Sequence, residues 1–167
     1  TKSASATNKL IQQSQVNVII GAIHSSATLA DMVVTERAGI PQITAGSTGS
    51  SITEQGKKWI FRTAVNDGFQ ANALAKYAKD VVKITKAATF TAADDYGQSG
   101  AKLLAAAFKK EGLDLVASPT YNNGDKDFKP QLLAIKDSGA QAIFMWGLYT
   151  DAALIAKQAK QLGLNVQ

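Results

Sequence analysis

The chain has 167 residues, 46% of them hydrophobic, no cysteine and a formal net charge of +5. That length and apolar content suffice for a buried core, and they exclude intrinsic disorder, a disulfide framework and a thiolate metal site. No apolar run approaches the roughly 20 residues that cross a bilayer, and the lysines are scattered rather than gathered with aromatics, which argues against nucleic acid.

Thr1 to Asn8 carry no signal-peptide pattern, so any leader is expected to lie outside this segment. Thr1 to Gln15 reads as the end of a helix, with Leu10 and Ile11 its only large apolar residues. Val16 to Ile20 is a short β-branched run, expected as a strand buried on both faces. Gly21 breaks it, and Ser25, Ser26 and Thr28 stand where a helix begins; Leu29, Met32 and Val33 follow at helical spacing. Ile40 to Thr44 is a second strand, followed by the turn Gly46 to Ser51. Ile52 to Gly56 reads as a helical turn and Trp59 to Thr63 as a third strand.

Asp67 is placed to cap a helix from Gly68 to about Val82, with Phe69, Ala73, Leu74, Tyr77, Ala78 and Val81 as its apolar stripe. A strand is expected at Ala87 to Ala92, then a helix from Gln98 that stops at Gly112. Leu113 to Ala117 is a strand, and Asp127 to Ser138 a helix with Phe128, Leu132 and Ile135 inward. Ala140 to Gly147 is a strand, Asp151 to Leu162 a helix, and Gly163 to Val166 looks like the opening of another β unit. This alternation predicts an α/β fold with parallel, Rossmann-like sheets, breaking at Thr63 to Asp67 into two lobes, 1–64 and 65–167.

Parallel strands end at one edge of their sheet, and ligands bind outside those ends. The turns Ser25 to Thr28 and Gly46 to Ser51 are therefore expected to face each other. Each brings hydroxyls, and the first adds the unpaired N–H groups at the positive end of a helix, which suits a carboxylate or phosphate. Gly46 and Gly49 would let backbone approach a ligand closely. Tyr96 and Tyr149, each just past a strand of the second half, offer an aromatic face and one hydroxyl apiece.

In order along the chain stand Val18-Ile-Ile-Gly with Ser25-Ser26-Ala27-Thr28, Gly39-Ile-Pro with Thr44 and Ser47-Thr48, and Phe61-Arg-Thr with Asp67 and Gln70. Asp95-Tyr96-Gly97, Asp127-Phe128 and Gly147-Leu-Tyr149-Thr-Asp follow. Together they resemble the type I periplasmic binding proteins, specifically the branched-chain amino acid (Liv-type) substrate-binding subunits of ABC importers. The resemblance implies two lobes joined by hinge strands that close over a ligand, with no cofactor, no metal and no catalysis. It implies a periplasmic location, or a lipoprotein on the surface of a Gram-positive cell, and membrane permease subunits as partners.

Carried over residue by residue, the resemblance gives the ligand's carboxylate to the Ser25 hydroxyl, to N–H groups near Ser26 and to Thr48. The Gly46 carbonyl and the Thr48 hydroxyl would take an ammonium group. Ser47 stands with them as a ligand-binding candidate, and Tyr96 and Tyr149 would close from the second lobe. The acidic partner of the ammonium would lie beyond Gln167 and an aromatic wall before Thr1, so the chain is expected to be roughly the middle half of such a protein. A sensory or regulatory domain of the same fold would use the same site. A serine hydrolase would need a base for Ser25 or Ser26; the only histidine, His24, is their sequence neighbour and points away from them in extended backbone. No Gly-x-Ser-x-Gly elbow surrounds them.

Overall fold

Alternating short strands and helices fold here into two parallel sheets, each with its own helices. The computed structural model describes every residue from Thr1 to Gln167, and the chain divides into two compact units, Thr1–Asp67 and Gly68–Gln167. No helix is long and apolar enough to cross a membrane.

Unit 1 contains α1 (Lys2–Gln12), β1 (Ile19–Ile20), α2 (Ser25–Ala38), β2 (Gln42–Thr44), α3 (Ser51–Glu54) and β3 (Ile60–Arg62). Its sheet runs β1-β2-β3, all parallel. One face buries Ile19, Gln42, Thr44 and Ile60, with Met32 of α2 and Ile52 of α3 packed against Ile60. The other face presents a row in register across the three strands, Ile20, Ile43 and Phe61. Ile20 is 79% exposed and Phe61 51%. The expectation of a strand over Val16 to Ile20 buried on both faces is thus corrected. Only Ile19 and Ile20 pair, with Gln42 and Ile43, and the row Ile20, Ile43 and Phe61 lies on the face opposite the one that Met32 and Ile52 cover.

Unit 2 begins within α4 (Asp67–Tyr77), which continues through a π-helical turn at Ala78–Val82 and stops at Lys83 in the left-handed region. Then come β4 (Lys86–Ala92), α5 (Asp95–Glu111), β5 (Asp114–Ala117), β6 (Thr120–Tyr121), α6 (Lys129–Asp137), β7 (Ala142–Trp146) and α7 (Tyr149–Gln161). β4 is the central strand, with β5 and β6 along one side and β7 along the other, all parallel. Because side chains alternate along a strand, β4 serves two cores. Ala87 joins Leu104, Ala107 and Phe108 of α5 on one face. Ala88, Phe90 and Ala92 join Tyr121, Phe128, Leu132, Ile135 and Ile155 on the other.

Four sequence expectations need correction in unit 2, the first being that α5 starts at Asp95 rather than Gln98, which puts Tyr96 in its first turn rather than in the loop before it. Of the stripe assigned to α4 only Ala78 faces the core: Phe69, Ala73, Leu74, Tyr77 and Val81 are exposed, and Ala71 and Ala75 are buried beside Ala78. Both sets have helical spacing, and the small residues are the ones that share a core with Leu104, Ala107 and Phe108 of α5. β6 was not foreseen, being two residues after Pro119. The helix expected from Asp151 starts two residues earlier, so Tyr149 is its first residue rather than part of a turn.

Tyr121 packs edge-on against Phe90 and Phe128, with ring centroids 5.3 Å away in each case. Burial pushes its phenol up to about 12, and the negative charges of Asp151 and Asp94 push the same way. The folded protein therefore holds this proton more tightly than the unfolded chain, whose tyrosines titrate near 10. Its contribution to stability is full below about pH 10 and is lost as pH rises toward about 12. Urea midpoints measured across that window should fall, and they should fall less steeply in Tyr121→Phe; equal slopes would remove Tyr121 as a cause.

Candidate functional site

β1 delivers the chain to the turn Gly21 to His24, and α2 starts directly after it. No side chain caps the first turn of α2. Its first helical hydrogen bond runs from Thr28 N–H to the His24 carbonyl, 3.0 Å. The N–H groups of Ser25, Ser26 and Ala27 therefore project from the positive end of the helix. The Ser26 hydroxyl is buried there with no hydrogen-bond partner. A buried hydroxyl without a partner costs about 1–3 kcal/mol, so an acceptor arriving at this point would relieve it.

The second turn lies against the first. Ser25 is 3% exposed, and its hydroxyl accepts from the Gly49 N–H at 3.2 Å. Thr28 and Ser47 are fully buried, and their hydroxyl oxygens stand 2.7 Å apart. A Cβ added at Gly49 would lie 3.1 Å from Ser25 Oγ, and one at Gly46 would lie 2.9 Å from Ile23 Cγ2. What the two glycines admit is the opposite turn itself. The two hydroxyl-rich turns are thus brought together as their positions at consecutive strand ends require.

Below them lies a polar core that holds the turn Gly21 to Ile23. Ala22 N–H donates to Thr28 Oγ1 (3.1 Å), and Thr44 Oγ1 donates to the Ala22 carbonyl (2.5 Å). Ser47 Oγ reaches the Ile23 carbonyl at 2.8 Å, and its N–H donates to Thr44 Oγ1 at 3.1 Å. Gln42 donates to the Gly21 carbonyl at 3.0 Å and accepts from Thr35 Oγ1 at 3.0 Å. Buried polar groups that are all satisfied in this way fix one backbone path. Ser47, a ligand-binding candidate by sequence, has spent its single hydroxyl proton inside this core, so its place is to position the turn.

Arg62, at the end of β3, secures the second turn from behind. Its Nη1 donates to the carbonyls of Thr48 (3.2 Å) and Gly49 (2.7 Å), and its Nη2 donates to Thr53 Oγ1 (2.8 Å). The Thr48 carbonyl also accepts from the Asp67 N–H at 2.9 Å, and Ser50 Oγ donates to Asn66 Oδ1 at 2.8 Å. A fixed guanidinium beside this turn adds positive potential there. Neither Arg62 nor Gln42 was picked out by sequence as part of the site. The available signal was their register, since Arg62 pairs with Thr44 across β2–β3.

In unit 2, Tyr96 and Tyr149 occupy the first turns of α5 and α7, just past β4 and β7. Those strands are parallel neighbours, so both tyrosines belong to the same sheet edge. Tyr96 is half-buried, its ring tilted against Trp146 at 6.2 Å, whereas Tyr149 is 83% exposed. Asp94 caps α5 by accepting from the Gly97 N–H (2.9 Å) and also accepts from Asn123 Nδ2 (2.7 Å), which ties the loop after β6 to this edge.

The whole chain, residues 1–167, matches the model of a family described as periplasmic binding protein. The amino acid binding protein of Pseudomonas aeruginosa is 31% identical over 166 residues, which are 99% of this chain and 44% of that protein. A leucine binding protein of Thermotoga maritima superposes with a TM-score of 0.94 at 30% identity, over 99% of this chain and 47% of that one. A branched-chain amino acid transporter substrate binding protein of Streptococcus pneumoniae, solved in complex with isoleucine, gives 0.86 at 29% identity, with the same coverage of 99% and 47%. The chain spans about half the length of these relatives. Two parallel α/β units, hydroxyl-rich turns at the strand ends and a family model matched along all 167 residues lead to one conclusion: the chain belongs to the periplasmic binding protein family.

Proposed function

We propose that this chain is part of the extracytoplasmic solute-binding subunit of an ABC importer, binding a branched-chain or related amino acid, or another small carboxylate. The observation that carries the reading is the start of α2. Uncapped N–H groups and the partnerless Ser26 hydroxyl lie together against the Gly46–Ser51 turn. That is a donor set without an acceptor, at the positive end of a helix, and a carboxylate supplies what it lacks. Ser25 and Thr48 join it as hydroxyl contacts, and the Gly46 carbonyl offers an acceptor to an amino group. The printed names of the relatives, leucine binding and isoleucine-bound, agree with a ligand of this class. In this reading 1–64 and 65–167 are the two ligand-binding lobes, Tyr96 and Tyr149 contribute from the second, and the permease subunits of the membrane are the partners. The protein then works in the periplasm or at the cell surface.

The test is a titration of the whole protein that contains this chain with leucine, isoleucine and acetate, followed through the backbone amide resonances of Ser25, Ser26 and Ala27. A carboxylate should shift these three amides first. Ser26→Ala should weaken binding by about 1.5–3 kcal/mol, the value of a hydrogen bond to a charged group. Amides that stay in place at saturating amino acid and acetate would sink the proposal.

A further inference from the structure

Gly49 sits between two peptide planes that no side chain of its own restrains. A Cβ there would lie 3.1 Å from Ser25 Oγ, so the close approach of the two turns favours glycine at this position. Glycine leaves the planes on either side of it torsionally loose. Arg62 holds both. Its Nη1 donates to the carbonyl before Gly49, that of Thr48 (3.2 Å), and to the carbonyl of Gly49 itself (2.7 Å).

In a planar trans peptide the C=O and the N–H point in opposite directions, so fixing one aims the other. The carbonyl of the Thr48–Gly49 peptide accepts from Arg62 and from the Asp67 N–H (2.9 Å). The N–H of the same peptide donates to Ser25 Oγ (3.2 Å). A charged donor on the carbonyl polarises the peptide and strengthens what its N–H donates. A serine hydroxyl has one proton, and accepting from Gly49 N–H leaves that proton to be donated in another direction. Every one of these contacts lies within unit 1.

We propose that Arg62 is a positioning residue for carboxylate binding, acting through the Thr48–Gly49 peptide to aim the Ser25 hydroxyl proton at the ligand. The inference rests on the reading above, in which Ser25 meets the carboxylate. Geometry separates this role from that of a nearby positive charge. The guanidinium is a fork anchored at both tips, with Nη2 on Thr53 Oγ1 (2.8 Å), and the backbone of Arg62 is in register with Thr44 of β2. Lysine keeps the charge, but its ammonium is a single point on a flexible stem and does not reproduce the fork. The Asp67 N–H stays on the Thr48 carbonyl in such a variant, so the loss is partial.

The experiment is a pair of double-mutant cycles in the whole protein that contains this chain, titrated with leucine by calorimetry. Arg62→Lys should weaken leucine binding about threefold to tenfold, the size of a coupling between neighbouring groups. In a Ser25→Ala background the same change should cost less than about twofold, because the hydroxyl it aims is gone. In a Ser26→Ala background it should cost its full amount, since the Ser26 hydroxyl has no bond to the second turn. The Gly49 amide proton should move upfield in Arg62→Lys before any ligand is added, with circular dichroism unchanged. If Arg62→Lys does not fold, Thr53→Val decides the matter: it releases only the outer tip of the fork and should weaken leucine about twofold, again only where Ser25 is present. Undiminished affinity in the folded variant, or an equal loss with and without the Ser25 hydroxyl, overturns the inference and leaves the carboxylate reading standing. Ser25→Ala that binds leucine as tightly as the unaltered protein overturns the Ser25 contact itself, and the inference with it. So does an unaltered protein that takes up neither leucine, isoleucine nor acetate.

Discussion

Gly97→Ala is expected to unfold unit 2 or to cost it about 3 kcal/mol or more, at or above the top of the usual range for overpacking. Gly97 lies in the first turn of α5, where Asp94 holds its N–H at 2.9 Å. A Cβ built there would overlap the Ala92 carbonyl oxygen and lie 2.6 Å from the Ala92 carbonyl carbon and nitrogen. All three are backbone atoms of the central strand, so no side-chain rotation relieves the contact. Either α5 lifts off its cap or the end of β4 leaves its pairing with β6. Gly112→Ala makes the control: that residue closes α5 at φ 73 with nothing within 4 Å of an added Cβ. It should cost only about 1 kcal/mol of backbone strain. Urea unfolding followed by Trp146 fluorescence in a Trp59→Phe background reports unit 2 alone. Equal midpoints for the two alanine variants would refute the steric account.

Phe90→Ala is expected to cost about 3–5 kcal/mol, the range for deleting a buried aromatic ring. Phe90 is fully buried in the middle of β4, edge-on to Tyr121 at 5.3 Å and to Phe128 at 6.0 Å. Tyr121 and Phe128 close the triangle at 5.3 Å. Removing one ring leaves a cavity beneath a loop that Gln158 pins by accepting from the Phe128 N–H (2.8 Å) and donating to the Lys126 carbonyl (2.8 Å). That pinned loop limits collapse into the void, which places the loss high in the range. Against a typical domain stability of about 5–15 kcal/mol, such a loss takes much of the total. Phe90→Leu should lose less than about 1.5 kcal/mol beyond any local repacking. A double-mutant cycle with Phe128→Leu should return a coupling of about 0.5–1.5 kcal/mol for the ring pair. A cycle that sums to zero would show that the rings contribute burial alone.

Much of the architecture was legible in the residues. Alternating short apolar runs and amphipathic stretches predicted the parallel α/β class, and Gly112 was recognised as the stop of its helix, where it takes the left-handed cap. Phe128, Leu132 and Ile135, chosen by spacing, are all fully buried. The meeting of the two hydroxyl-rich turns was legible for the same reason: consecutive parallel strands end at one edge, so their turns become neighbours whatever their exact residues.

Only the tertiary structure decided which of two helical stripes α4 turns inward. Periodicity gives the angle of a side chain around a helix and not which neighbours it will meet, and the folded unit buries Ala71, Ala75 and Ala78 with Leu104, Ala107 and Phe108 of α5 while Phe69, Leu74 and Tyr77 stay exposed. The division of labour among the hydroxyls was equally invisible in one dimension. Ser26 and Ser47 look alike as residues in a turn. Ser47 is spent on the carbonyl of Ile23, 24 positions away in the chain, and Ser26 has no partner at all. A hydroxyl's role depends on which acceptors the folded backbone brings within about 3 Å of it, and that is settled by contacts between strands rather than by neighbours along the chain.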